Sequence, residues 1–163
     1  MGWLLVRDLP PPDRQRDRNG SREQGLKEKL VLADQSHAAL VYDGSDVVGW
    51  CQFGPPAEIP GRMSAYRRLG LVQPDWRIPC FFVDRDRRRS GVAAAALAGL
   101  LRIIASKGGG TVDGYPISVR GKPYPSSFLP GSTETMFEKA GFRPIAHLGT
   151  KKLVMRKVVR GRR

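Results

Sequence analysis

Arg85, Arg87, Arg88 and Arg89 crowd the stretch Val83-Asp84-Arg85-Asp86-Arg87-Arg88-Arg89-Ser90-Gly91-Val92-Ala93. An apolar run, Cys80-Phe81-Phe82-Val83, leads into it, and Ala94-Ala95-Ala96-Leu97 leads out. Residue types in this order make an anion cradle. A turn exposes backbone N–H groups, and the first turn of a helix leaves its own N–H groups without carbonyl partners. The helix start adds partial positive charge, and the guanidinium groups add full charges. The chemistry this suits is the holding of a phosphate-bearing ligand.

The elements around the cradle follow from local pattern. Gly2 to Leu9 reads as a short strand, broken by Pro10-Pro11-Pro12; Asp13 to Gly20 is a polar linker. Ser21, with Gln24 three residues on, reads as the cap of a helix reaching Ala33. Ala38 to Tyr42 and Val47 to Phe53 read as strands around the turn Asp43-Gly44-Ser45-Asp46. Ala57 to Asp75 is irregular, with a helical turn near Ser64 to Leu69. Arg77 to Val83 is a strand and Val92 to Ser106 a long apolar helix, suited to burial against a sheet. Lys107-Gly108-Gly109-Gly110 ends that helix, and Thr111 to Tyr115 is a short strand. A loop with four prolines spans Pro116 to Pro130. Ser132 or Thr133 caps a helix to Ala140, Gly141 stops it, and strands Phe142 to Leu148 and Lys151 to Val158 follow. The order predicts an α/β (α+β mixed) sandwich on a mixed central sheet. Three parts are expected: 1–20, an N-terminal strand and mobile linker; 21–158, a single domain; and 159–163, a disordered basic tail.

Composition narrows the class. The 163 residues carry 28 Lys and Arg against 15 Asp and Glu, a net charge of +13. Such a balance calls for an acidic partner: a nucleotide-like cofactor, RNA or DNA, or an anionic surface. A bias toward arginine across the whole genome is the bland alternative. No apolar run approaches the roughly 20 residues of a membrane span. Trp3-Leu4-Leu5-Val6 is too short for a signal-peptide core, and Val6 stands where a myristoylation signal wants Ser or Thr. A cytoplasmic protein with no membrane association is expected. Cys51 and Cys80 lie in apolar runs and are expected as buried, reduced thiols. With His37 and His147 they form no metal-ligand spacing, so no metal is expected.

Arg88-Arg89-Ser90-Gly91-Val92-Ala93 fits the pattern Arg/Gln-x-x-Gly-x-Gly/Ala. The strand before it, the long helix after it, Gly114-Tyr115-Pro116, and the ending Met136-Phe137-Glu138-Lys139-Ala140-Gly141-Phe142 complete the context. In these features the chain resembles the GNAT superfamily of acyl-CoA-dependent N-acyltransferases, over roughly residues 38 to 158. The resemblance implies a mostly antiparallel twisted sheet with a V-shaped splay and helices on both faces. It implies an N-acetyltransferase in which a primary amine attacks the thioester of acetyl-CoA directly. Backbone N–H groups of Arg88, Arg89, Ser90, Gly91, Val92 and Ala93 would hold the pyrophosphate, and Gly91 would leave room for it. Arg85, Arg87 and Arg89 are candidates for the 3′-phosphate. Phe81, Phe82 and Val83 would pair with pantetheine, and a backbone N–H near Phe82 or Val83 would polarise the thioester carbonyl.

The resemblance breaks at two places. Many members carry a tyrosine general acid in the last helix, and here Phe137 stands there. Tyr115 and Ser132 are the alternative hydroxyls, against the plainer readings of a packed aromatic and a helix cap, and water is the other proton source. Glu58, Asp113 and Glu134 are base candidates, each more simply read as a solvated surface charge. Asp84 is explained by its arginine neighbours, and His37 and His147 by strand ends. The N-terminal region is also short and polar. The acceptor site is therefore open, completed by a partner subunit as in a homodimer, or shortened by the choice of start codon. The amine acceptor has no sequence signature. Two other readings are a basic nucleic-acid- or ribosome-associated binding protein and a non-catalytic acyl-CoA-binding protein of the same fold.

Overall fold

The computed structural model describes residues 4–8, 36–118 and 132–162, with side chains for the last two ranges. The expected helix from Ser21 to Ala33, the linker before it and most of the proline-rich loop lie outside these residues. Seven strands form one sheet in the order β1-β2-β3-β4-β5-β7-β6. They are β1 (Leu4–Asp8), β2 (His37–Asp43), β3 (Asp46–Gly54), β4 (Trp76–Val83), β5 (Gly109–Gly114), β6 (Arg143–Leu148) and β7 (Lys152–Arg160). Among the described residues the helices are α1 (Met63–Arg68), α2 (Val92–Ser106) and α3 (Glu134–Lys139), with a 3-10 turn at Arg85–Arg87.

Every strand pair is antiparallel except β4 with β5. That parallel pairing covers only Trp76, Ile78 and Arg77 against Val112, Gly114 and Asp113. It stops at Pro79, which has no N–H to give to a ladder. The same proline marks a β-bulge. Gln52 faces Cys80 while Gly54 faces Arg77, so β4 spends one more residue there than β3. The bulge resets the alternation of side chains. Ile78 and Phe81, three apart, both enter the same core. Beyond it β4 stays with β3, while the chain after Gly114 leans to β7, where Leu153 N–H donates to Pro116 O at 3.1 Å. The two halves of the sheet part between Cys80–Val83 and Tyr115–Ser118, which is the expected splay.

Helices α2 and α3 cover one face and α1 the other. Val92, Ala96, Leu97, Leu100 and Ile104 of α2 pack on Val41, Cys51, Phe53, Phe81, Val112 and Met155. The outer side of α2 carries Ala94, Ala98 and Arg102, so the helix buries a stripe rather than its whole circumference. Helix α3 starts at Thr133, whose side chain accepts from Met136 N–H. It ends in a Schellman turn: Gly141 has φ +86, and Phe142 N–H donates to Phe137 O at 3.0 Å.

Three boundaries differ from the sequence-based expectation. β5 begins at Gly109, inside the glycine triplet, because a side chain at Gly109 would collide with the backbone of Val159 and Gly161. β7 runs to Arg160, two residues past 158, and Arg162 N–H donates to Ala105 O at 2.9 Å. Cys51 is buried as expected, but Cys80 is exposed; the bulge turns it to the face opposite α2.

Candidate active site

The cradle lies where the splay opens. Val83 ends β4, Asp84 caps the 3-10 turn by accepting from Arg85 N–H at 2.8 Å, and the chain swings through Arg88, Arg89 and Ser90 into α2. Arg89 and Gly91 both have left-handed backbone, with φ of +62 and +86. Gly91 is the N-cap of α2, and no side chain caps that helix. Its first turn carries no acidic residue. The first helical bond is Ala95 N–H to Gly91 O, at 2.9 Å. The N–H groups of Val92, Ala93 and Ala94 therefore lack helical partners. A Cβ built on Gly91 would meet nothing within 4 Å. A phosphate group fits here: donors and the helix dipole converge on open space, and the first turn of the helix brings no carboxylate of its own.

Two contacts hold the cradle against the sheet. Arg87 pairs with Asp43 in the β2–β3 hairpin at 2.5 Å, tying the turn to the neighbouring strands. All four arginines of the turn are exposed, and Arg87 alone among them pairs with a carboxylate of the described residues. Gly49 on β3 sits beneath the start of α2. A Cβ there would lie 2.5 Å from Val92 Cγ1 and 2.9 Å from Phe82 O. Only glycine lets the helix start come this close.

Backbone alternation decides which groups of β4 face the splay. Asp84 N–H donates to Val48 O at 2.9 Å, so residue 84 bonds to β3. Phe82 and Cys80, two and four residues back, also point their backbone groups at β3. The N–H groups of Phe81 and Val83 then point into the splay. Of the two expected oxyanion donors, Val83 is placed for the role and Phe82 is not. The Phe82 ring instead stacks on Trp50, centroids 6.1 Å apart, on the face opposite α2.

Phe137 is fully buried. Its ring packs edge-on against Phe81 at 6.0 Å and Phe142 at 4.9 Å. Its Cζ lies 2.5 Å from where a Cβ on Gly114 would be, so the phenyl occupies a notch that Gly114 provides. No titratable group enters the splay from this helix position. Ser132 stands one residue before the α3 cap and is half-buried; Thr133, not Ser132, is the cap.

On the opposite face, at the end of β5, Tyr115 Oη lies 2.9 Å from Tyr66 Oη of α1. Tyr66 donates a short hydrogen bond to Asp113 Oδ2. Asp113 is 0 % exposed and accepts two bonds from Arg156, Nε to Oδ1 at 2.7 Å and Nη2 to Oδ2 at 2.8 Å. Arg156 also donates to Val72 O at 2.7 Å. Since the Tyr66 hydroxyl donates its hydrogen bond to Asp113, the Tyr115 hydroxyl is left to donate to Tyr66 or outward. Burial pushes both tyrosines above their ordinary pKa, so both stay protonated; for Tyr66 the bond to Asp113 adds to the rise. The hydrogen bond to Asp113 raises Arg156.

These carboxylates are not solvated surface charges. Asp113 and Glu134 are buried, with Ser118 donating to Glu134 Oε2 at 3.3 Å. Glu58 is half-buried, with one oxygen 3.5 Å from His37 Nε2. His37 is itself buried on Phe53 at the start of β2, while His147 is exposed on β6. Sequence reasoning passed over Arg77 entirely. It is 0 % exposed and donates to Ile59 O at 2.7 Å, and to Gly61 O and Gln73 Oε1. Its guanidinium carbon stands 4.9 Å over the Tyr66 ring. It staples the 59–73 segment to β4. The only hint available was a charged residue inside an apolar strand.

Among the described residues no His/Cys/Asp/Glu group could hold a metal, and no helix is long and apolar enough to cross a membrane. No protein-family model matches the sequence, and no curated protein matches it. Solved structures do resemble it. An N-acetyltransferase from Staphylococcus aureus Mu50 is 14% identical, with TM-score 0.55 over 85% of this chain and 77% of that one. A protein from Desulfovibrio desulfuricans, described as an acetyltransferase of the GNAT family, is 20% identical, with TM-score 0.53 over 85% and 82%. The PaiA N-acetyltransferase of Thermoplasma acidophilum, in complex with coenzyme A, is 15% identical, with TM-score 0.51 over 84% and 74%. By this likeness the chain has the GNAT acetyltransferase fold.

Proposed function

We propose that the protein is an acetyl-CoA-dependent N-acetyltransferase acting on a primary amine. The observation that carries this is the uncapped, carboxylate-free start of α2 beside a strand whose free backbone edge faces a splay. The Thermoplasma acidophilum neighbour, which holds coenzyme A in the same fold, supports the choice of donor. When bound, acetyl-CoA supplies the activated acyl group as a thioester.

The chain's own residues then divide the work. Backbone N–H groups from Arg89 to Ala93 hold the pyrophosphate, the expected Arg88 N–H being taken by Arg85 O at 3.4 Å, and Arg85 and Arg89 are the exposed cations for the 3′-phosphate. Phe81 and Val83 present backbone groups to the pantetheine, and Val83 N–H stabilises negative charge on the carbonyl oxygen as the amine adds. The amine nitrogen bonds to the carbonyl carbon, the carbon–sulfur bond breaks, and the sulfur leaves as thiolate. Tyr115 Oη gives that thiolate its proton and takes one from the nitrogen, so the protein ends as it began. Arg62 and Arg77 near Tyr115 favour its transient phenolate, although burial keeps the resting group protonated.

Isothermal titration with acetyl-CoA tests the donor site. Saturable binding is expected, and none at high micromolar cofactor sinks the reading. Release of coenzyme A thiol across an amine panel tests the chemistry. Tyr115→Phe should lower kcat at least tenfold with cofactor affinity unchanged; an unaltered kcat removes Tyr115 from the mechanism. The buried Phe137 favours one other reading, an acyl-CoA-binding protein without turnover, which predicts tight binding and no thiol release with any amine.

A further inference from the structure

Phe81, Phe137 and Phe142 fill the α2 side of the splay, and on the α1 side Tyr66, Tyr115 and Val154 are packed beneath a half-buried Arg62. What waits on the α1 face is positive. Arg62 holds its guanidinium carbon 4.2 Å over the Tyr115 ring. It is the N-cap of α1 with φ +72, a conformation that glycine adopts freely and arginine does not. Backbone held in such a region concentrates where ligands bind. Among the described residues no carboxylate forms an ion pair with the Arg62 guanidinium, which stacks on Tyr115. Arg77 adds a second, buried cation on the neighbouring Tyr66 ring, its Nη donors taken by carbonyl oxygens and Gln73 rather than by a carboxylate. Asp113, a carboxylate beside the tyrosines, is already paired by the two-pronged contact of Arg156.

We propose that the acceptor is a primary amine that carries its own anionic group, a carboxylate or a phosphate, and that Arg62 binds that group while the nitrogen faces Tyr115. This rests on the splay being the acyl-donor site. The field does two things. It attracts the anionic end of the acceptor, and it repels an ammonium, which favours the free amine that attacks the thioester. A second ammonium on the acceptor meets only like charge. At contact distances in a half-wet site, one such charge difference changes binding by about tenfold.

The experiment uses the full chain with acetyl-CoA and matched acceptors of equal length: an ω-amino carboxylate, its methyl amide, an aminoalkyl phosphate and a diamine. Thiol release gives kcat and KM, and titration gives acetyl-CoA affinity. Wild type is expected to favour carboxylate or phosphate at least tenfold over the amide in kcat/KM, through KM, with the diamine last. The carboxylate and phosphate arms rank the two anion sources. Arg62→Gln should erase the ranking, Arg62→Lys should restore part of it, and Arg62→Glu should move the diamine to first place. Acetyl-CoA affinity and thermal midpoint should hold in all three. A wild type that prefers the diamine, a ranking that survives Arg62→Gln, or no turnover of any anionic acceptor overturns this proposal alone when acetyl-CoA still binds. Failure of wild type to bind acetyl-CoA overturns the donor site as well.

Discussion

The cradle at the start of α2 and the polar cluster beneath α1 are both rich in arginine, and they solve opposite problems. The cradle keeps its donors unsatisfied and exposed: Val92, Ala93 and Ala94 N–H groups, Gly91 open, and Arg85 and Arg89 in solvent. The cluster pairs most of its polar atoms, the buried Arg77 Nε excepted. Asp113 accepts from Arg156 and Tyr66, Tyr66 meets Tyr115, and Arg77 closes on carbonyls. A buried carboxylate is tolerable only when paired, so the cluster is structural capital of the fold. The cradle's open donors cost little because water satisfies them until an anion arrives. Charge that is finished inside the protein stabilises it, and charge left unfinished at its surface is available for ligands.

That contrast can be broken by mutation. Asp113→Ala leaves Arg156 half-buried without its partner and should cost about 3–5 kcal/mol. For a chain of this size that is a fall in thermal midpoint of roughly 6–20 °C. Should the midpoint hold, the cluster is not structural. Gly91→Glu acts on the other region. It places a carboxylate in the cradle and should weaken acetyl-CoA at least a hundredfold, about 2.7 kcal/mol. The thermal midpoint should fall only by a few degrees, from the strain of φ +86. Wild-type affinity in titration means the cradle lies elsewhere. Gly114→Ala pushes a Cβ into Phe137 and should destabilise by about 1–3 kcal/mol in denaturant unfolding. Asp43→Ala frees Arg87 from the hairpin; the exposed pair predicts under 1 kcal/mol in stability and a few-fold change in acetyl-CoA affinity.

A pH series sharpens the same contrast with a small effect. Thr111 donates to Asp75 from its N–H at 2.7 Å and its hydroxyl at 2.8 Å, and these bonds hold the Asp75 carboxyl below its ordinary range. A depressed carboxyl contributes stability above its unfolded pKa, about 3.9, and the contribution disappears as pH falls through the folded value. Asp75→Asn should therefore lower the thermal midpoint slightly at pH 7 and match wild type in strong acid. A gap that widens on acidification contradicts the assignment.

What the sequence disclosed followed from distance along the chain. The turn from Asp84 to Gly91, helix α2, the Gly141-Phe142 ending and the hairpin at Asp43–Asp46 are each made by residues within a few positions of one another. Their pattern is visible in a short window. Asp113, Tyr66 and Arg156 lie 43 to 47 residues from their partners, and no window holds both sides of those contacts. Asp113 and Glu134 therefore looked like surface charges. The bulge at Pro79 hid in the same way. It reverses which side chains face the core, so Cys80, expected to be buried because it lies in an apolar run, is exposed. Thr133 rather than Ser132 caps α3, a one-residue choice that only backbone geometry makes. Val83 was separable from Phe82 only once the ladder register was known.

The two cysteines, neighbours across adjacent strands yet on opposite faces, form a built-in pair of clocks. Cys80 is exposed, while Cys51 is fully buried with its thiol pushed well above the usual range by that burial. A thiol reagent should therefore modify Cys80 at the rate of an accessible thiol and Cys51 only when the sheet opens. The first rate reports on the mouth of the splay and any ligand there, and the second on how often the core itself comes apart. One unmodified protein sample thus yields local accessibility and global opening in a single trace.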